Sequence, residues 1–266
     1  MTNYFINTFD PVLLHVGPFA IRWYGVMYIA GFAIALWLLL RRFRAGLLAL
    51  PNERAVHDML FYGFLGVLIG GRLGHCLFYH PLEYLRRPWE ILMVWEGGMS
   101  SHGGFAGVMI ALALFARVVH VPFLHLLDNS VLATTPGLFL GRIGNFINGE
   151  MCGTPTSLPW AVIFPAVDMQ PRHPVQIYQA LTEGALLFAI LLVVGRKRRA
   201  DGLLSGLFGV GYAIVRIATE HFRALTTELA GPRWSGLTQG QFLSIFAGLI
   251  GVALLLRAML AARKHA

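Results

Sequence analysis

Seven runs of about 20 mostly apolar residues dominate the chain, at roughly 20–40, 57–78, 103–120, 129–148, 174–195, 203–222 and 240–261. A helix of about 20 residues spans the hydrocarbon core of a bilayer. Lipid offers a backbone no hydrogen bonds, so each run must satisfy its own peptide groups, and an α-helix does so within the run. The expected fold is an all-α integral membrane protein of about seven transmembrane helices, one polytopic domain over residues 1–266. Of the residues, 56% are apolar and 13% charged, against about 45–50% and about 25% in soluble domains. A net charge of +8 does not point to nucleic acid. The basic residues cluster at the ends of apolar runs, where they meet anionic lipid headgroups.

Those clusters orient the chain. Arg41/Arg42/Arg44, Arg196–Arg199 and Arg257/Arg263/Lys264 follow the first, fifth and seventh runs, and Lys and Arg favour cytoplasmic flanks. The amino terminus is therefore expected outside and the carboxyl terminus in the cytoplasm, with 12 basic residues in inner loops, 5 in outer loops and 4 (Arg22, Arg72, Arg142, Arg216) at membrane depth. Three segments too polar or too broken by Pro and Gly to span, 79–102, 149–173 and 223–239, fall outside as arm or head segments. The first, with Pro81, Glu83, Arg86, Arg87, Trp89 and Trp95, reads either as an amphipathic interfacial segment or as a simple loop. No cleavable signal peptide is expected, because the first basic residue is Arg22. Cys76 and Cys152 have neither ligand spacing nor a disulfide framework.

On this topology polar side chains gather at the outer ends of the runs. Arg22 and Tyr24 open the first; Arg72 and His75 close the second; His102 precedes the third. Arg142, Asn145 and Glu150 end the fourth, within Gly141-Arg-Ile-Gly-Asn-Phe-Ile-Asn-Gly-Glu150 and before Gly153. His173, Gln176 and Tyr178 begin the fifth, and Gln239 and Gln241 the seventh. In the sixth, Tyr212, Arg216, Glu220 and Arg223 are spaced i, i+4, i+8 and i+11, along one helical stripe. Ionisable groups at this depth cost several kcal/mol unless paired or wet, which marks them as a candidate site. An Arg216/Glu220 pair that merely locks helix packing is the competing reading. His102 is the side chain suited to proton transfer near neutral pH.

Six motifs together resemble the prolipoprotein diacylglyceryl transferase family: Arg22-Trp-Tyr-Gly25, Gly71-Arg72, Gly98-Met-Ser-Ser-His-Gly-Gly104, Arg142 to Gly153, Arg172-His-Pro-Val-Gln-Ile-Tyr178, and Arg216 to Arg223. The resemblance implies a bacterial inner-membrane enzyme with its site towards the periplasm. It would move the diacylglyceryl group of phosphatidylglycerol to the lipobox cysteine of prolipoprotein signal peptides, forming a thioether and releasing glycerol phosphate. It implies catalytic roles for Tyr24, His102, Arg142, Arg216 and Glu220. Phosphatidylglycerol binding would fall to Arg142, Asn145, Glu150, Gly153, Tyr212 and Arg216. Arginines suit a phosphate leaving group, and their field would favour the substrate thiolate. The thiol proton would go to His102 or, if that field suffices, to interfacial water. The nucleophile belongs to the substrate and no H-E-x-x-H motif occurs, so neither metal nor cofactor is expected. Two other classes stay open: a phospholipid phosphatase or phosphatidyl transferase, and a lipid transporter or flippase.

Overall fold

Each apolar run is a helix in the computed structural model, which describes residues 4–78, 81–93, 97–224 and 237–263. Strands β1 (Phe5–Ile6), β2 (Val12–Val16) and β3 (Phe19–Arg22) lead into helices α1 (Trp23–Arg44) and α2 (Glu53–Phe78). A short α3 (Pro81–Arg86) and a 3-10 turn (Pro88–Leu92) precede α4 (Ser101–Val119) and α5 (Phe123–Asn148). After β4 (Val162–Ile163) and β5 (Pro171–Arg172), one continuous rod, Val175–Val194, comprises α6 (Val175–Gln179), a π-helical stretch (Ala180–Leu186) and α7 (Leu187–Val194). Helices α8 (Leu203–Glu220) and α9 (Gln239–Arg263) complete the order.

Six of these helices, α1, α2, α4, the Val175–Val194 rod, α8 and α9, are long and apolar enough to cross a membrane. Helix α5 has 26 residues, about 39 Å, but is more polar because it carries Asp128, Asn129, Thr134, Thr135 and Arg142. Large apolar side chains such as Ile110, Val118, Leu249, Ile250 and Leu260 point outward from α4 and α9, as lipid-facing positions do. The strands are an addition to the expected all-α plan. Hairpin β2–β3 turns at Gly17-Pro18, and β1 to β5 have at most five residues each, too short to stand out beside 20-residue apolar runs.

The chain forms two compact units, Met1–Leu38 with Asp128–Ala266, and Leu39–Leu127. In the first, a three-stranded sheet has the order β1-β4-β5, with β1 parallel to β4 and β5 antiparallel to it. Asn7 fastens this sheet to α5: its side-chain amide donates to the Phe146 carbonyl at 2.6 Å and its backbone N–H to Ile163 O at 2.8 Å. The amino-terminal segment, the end of α5 and the 149–173 segment therefore lie on one side. At the other end of α5, the buried Asp128 carboxylate caps α8 from outside, accepting from Gly202 N (2.9 Å), Ser205 N (2.8 Å) and Ser205 Oγ (2.6 Å). Such a bond set satisfies amides that the first turn of a helix leaves unpaired.

In the second unit α2 and α4 meet through glycines. A Cβ at Gly66 would stand 2.7 Å from Gly107 O, and one at Gly74 2.7 Å from Gly103 Cα, so only glycine lets these backbones touch. The buried Arg72 organises the segment between the helices. Its guanidinium donates to the carbonyls of Ile91 (2.9 Å), Glu90 and Gly97 and lies 5.3 Å from the centre of the Tyr84 ring. Leu82, Leu85, Trp89 and Leu92 of this segment are exposed, as an interfacial arm requires. Trp95 and the Gln239 side chain lie outside the described residues, as does most of the 223–239 segment.

Candidate active site

Five charged side chains from α5, the rod, α8 and the residue three beyond it form one chain of ion pairs in the first unit. Arg142 donates to Glu183 Oε2 through Nε (3.2 Å) and Nη2 (2.9 Å). Arg216 Nη1 reaches Glu183 Oε1 at 3.4 Å, and Arg216 Nη2 lies 3.3 Å from Glu220 Oε2. Arg223 Nη1 lies 3.7 Å from that same Glu220 oxygen. The Arg216/Glu220 pair foreseen as a packing lock is thus real, but it is one link of a longer network. Among the described residues, three guanidiniums stand against two carboxylates, which leaves one positive charge in excess. The pairs made by Glu183 are largely buried: its side chain is 0% exposed, that of Arg216 10% and that of Arg142 16%.

Glu183 is the residue that inspection of the sequence missed. Its signal was available, since it is the only acid or base in the Val175–Val194 run, and a lone charge at membrane depth marks function by default. It stands in the π-helical stretch, where Gly184 lies so close to α5 that a Cβ would be 2.7 Å from Phe139 Cα. The wider turn and this contact bring the carboxylate against Arg142; π-bulges recur at functional sites for such reasons. Gln176 and Gln179 precede Glu183 and are equally buried. Gln176 Nε2 donates to the Glu150 carbonyl at 2.5 Å and faces Cys152 Sγ at 3.6 Å, so the rod also holds the loop after α5.

The remaining sequence-derived positions take distinct places. The Tyr212 phenol lies in the field of Glu183, Arg216, Arg142 and Glu220, and its ring stacks on Phe208 at 5.7 Å. Tyr24, whose ring fills the space above Gly144, shares a hydroxyl contact with Tyr28 at 3.3 Å and senses the charges of Glu150 and Arg142. Asn145 is buried on α5. Glu150 is exposed and accepts from Asn148 Nδ2 at 2.7 Å. His102 belongs to the second unit, exposed in the first turn of α4, which Ser100 caps by accepting from Gly103 N at 3.2 Å. Arg22 is exposed at the end of β3, and Arg72 is the organiser of the arm already described.

Gly153 is a backbone junction. Its N–H donates to His173 O at 3.0 Å, it bridges Arg223, and its carbonyl accepts from Arg172 Nη1 at 3.0 Å. This stitching ties the 149–173 segment to the end of α8, next to Arg223. A Cβ here would stand 2.6 Å from His173 Cβ and 2.7 Å from Phe222 O. Gly153→Ala is therefore expected to destabilise the protein by about 1–3 kcal/mol, the usual cost of overpacking. Thermal unfolding of the detergent-solubilised variant checks this, and an unchanged midpoint would show that the junction yields at no cost.

Outside the spans, electrostatics define the surroundings. Burial, then repulsion from Arg216, pull the Arg223 guanidinium below its ordinary value, opposed by Glu220. The ion pair with Asp168 raises Arg172 and lowers Asp168. His173 is pulled down by burial, and its Nδ1 lies 3.2 Å from the Tyr178 hydroxyl, which itself accepts from Trp160 Nε1 at 2.7 Å. Burial pushes the Cys152 thiol up to about 11, so it is protonated at neutral pH and donates to Gly149 O at 3.2 Å. Because the thiolate is the nucleophilic form, the protein's own cysteine here is a poor nucleophile.

Known proteins resemble this sequence over most of its length. The family described as Prolipoprotein diacylglyceryl transferase matches residues 11–257. Proteins named phosphatidylglycerol–prolipoprotein diacylglyceryl transferase are similar over most of their length. That of Cupriavidus pinatubonensis is 50% identical, covering 92% of this chain and 90% of the relative. That of Nitrosomonas europaea is 46% identical (93% and 89%), and that of Gluconobacter oxydans 47% identical (94% and 93%). With that match running through the loop after α5 and through the arginines of α5 and α8, the chain belongs to the prolipoprotein diacylglyceryl transferase family.

Proposed function

We propose that this protein transfers the diacylglyceryl group of phosphatidylglycerol to the cysteine thiol of a prolipoprotein. The observation that carries the mechanism is the buried arginine chain, in which the described residues hold one positive charge more than negative. A phosphodiester anion supplies the missing negative charge. Arg142 Nη1 faces the Met151 sulfur at 3.6 Å, a weak acceptor that a phosphate oxygen displaces. In the reaction the sulfur–carbon bond forms as the carbon–oxygen bond to phosphate breaks, and the leaving glycerol phosphate keeps the electron pair. Guanidinium groups held in place before the reaction stabilise that developing charge best in a water-poor site, and the same field favours the incoming thiolate. Tyr24, Tyr212 and Asn145 complete the lipid headgroup site, with Glu150 and Gly153 shaping its loop.

Reconstitution tests the activity: vesicles containing labelled phosphatidylglycerol and a lipobox peptide with a free thiol. Label on the peptide together with released glycerol phosphate is the expected result. Phosphate release without thioether would favour a phosphatase, and binding or translocation without turnover would favour a carrier.

His102 is the proposed acceptor of the thiol proton, since arginine is too basic for that task. The expected result for His102→Gln is a large loss of rate together with loss of the acidic limb of the pH–rate profile. An unchanged profile with a modest defect would assign the proton to interfacial water.

The topology proposed is seven spans, counting α5, in the bacterial inner membrane with the amino terminus and the site towards the periplasm. The Lys/Arg asymmetry supports it, as does the pairing of β1 with β4, which joins the amino terminus to the segment after α5. A cysteine at position 157 should label from the periplasm, and one at position 200 only after permeabilisation. Labelling of both from one side would show that the Val175–Val194 rod does not cross, and the reverse pattern, 157 inside and 200 outside, would remove α5 or another earlier helix from the count.

A further inference from the structure

Thr238 is the N-cap of α9, with Gln241 three residues on. The Thr238 hydroxyl accepts from Gln241 N at 3.1 Å, and the Gln241 side chain accepts from Thr238 N at 3.1 Å, a reciprocal capping box. Having accepted that bond through its lone pairs, the hydroxyl still has a proton to donate, and Glu220 Oε1 receives it at 3.2 Å. The other Glu220 oxygen, Oε2, is the one facing Arg216 (3.3 Å) and Arg223 (3.7 Å). The two oxygens of this buried carboxylate therefore serve different masters, the start of α9 and the arginine chain. Gly240 reinforces the split: a Cβ there would stand 3.1 Å from Oε1, so the first turn of α9 lies directly against the carboxylate, where its amide dipole favours an anion.

We propose that Thr238 is a positioning residue for lipid binding: by holding Oε1, it leaves a single Glu220 oxygen to Arg216 and keeps the remaining N–H groups of that guanidinium available to phosphate. This rests on the phosphate role of Arg216 proposed above. Without the hydroxyl, Glu220 turns both oxygens to Arg216, a fork-to-fork pair that guanidinium and carboxylate favour, and the lipid phosphate loses donors.

The test measures initial transfer rate against the mole fraction of phosphatidylglycerol in vesicles, using the full-length protein and a lipobox thiol peptide. For Thr238→Val the KM for phosphatidylglycerol should rise about tenfold, the scale of one hydrogen bond to a charged group, with kcat changed far less. Thr238→Ser, which keeps the hydroxyl, should restore KM to within about twofold of wild type. Gln241→Ala breaks the reciprocal cap but leaves the Glu220 contact, and its KM should stay within about twofold. If Thr238→Val inserts poorly, Thr238→Ala removes the same hydroxyl with less bulk and takes its place. A wild-type KM in the variant lacking the hydroxyl, or a Gln241→Ala defect equal to it, would overturn the positioning role. Absence of transfer by the wild-type protein would sink the activity itself, a result separate from either.

Discussion

Arg142→Lys and Arg216→Lys should each lower the transfer rate by about 10²–10³-fold, the usual loss when a preorganised donor to a developing anion is removed, while the protein inserts and folds. The reason is geometric. Arg216 contacts two different carboxylates through two different nitrogens, Glu183 through Nη1 and Glu220 through Nη2. Arg142 spends Nε and Nη2 on Glu183 and keeps Nη1 for another acceptor. A lysine ammonium keeps the charge but is a compact point donor on a flexible stem, without the planar fork that serves two anions at once. Steady-state rates in vesicles, with insertion checked by protease protection, decide the matter. Near-normal turnover in either lysine variant would falsify recognition through the fork.

Removing Glu183 should be the most damaging single change to the fold. It is fully buried and, among the described residues, is the only side chain paired with both Arg142 and Arg216. Glu183→Gln leaves the volume nearly unchanged but strips the negative charge from between two guanidiniums. Breaking a buried ion pair on one side costs about 3–5 kcal/mol, because the partner charge stays buried without compensation. Here Arg142 loses its carboxylate and Arg216 keeps only Glu220, so both stability and activity should fall. The expected result is a clear drop in unfolding midpoint in detergent, with transfer reduced in parallel. Were Glu183→Gln as stable as wild type but inactive, the carboxylate would be acting in the chemistry and not in holding the arginines.

These expectations separate Glu183 from Asp128, the other buried acid that inspection of the sequence passed over. Asp128 satisfies backbone amides of α8 through Gly202 and Ser205, a structural task at the opposite end of α5 from Arg142. Asp128 stands at the polar start of α5 beside His125 and Asn129, and Glu183 stands alone inside an apolar run, but neither sequence context says which groups the carboxylate meets. The difference comes from what each meets across the helix interface.

The amino-acid sequence by itself determined the class and the helices. Transfer of apolar side chains into lipid and the internal hydrogen bonding of a helix are local properties, which is why the run at 203–222 became α8 (Leu203–Glu220) and that at 240–261 became α9 (Gln239–Arg263). The stripe of Tyr212, Arg216 and Glu220 followed from helical periodicity alone, as did Arg142 and Asn145 on one face of α5; Arg223, expected on that stripe, lies beyond the end of α8 and is placed by its bridge to Gly153. Tertiary structure decided the rest. Which carboxylate answers which arginine depends on three helices and a π-turn meeting at one depth. That Gly153 joins backbone segments, that Cys152 is shut in against Gln176, and that Thr238 reaches Glu220 depend on contacts across 20, 24 and 18 residues of chain. Periodicity shows which face of a helix a side chain occupies. Only packing brings that face against a partner.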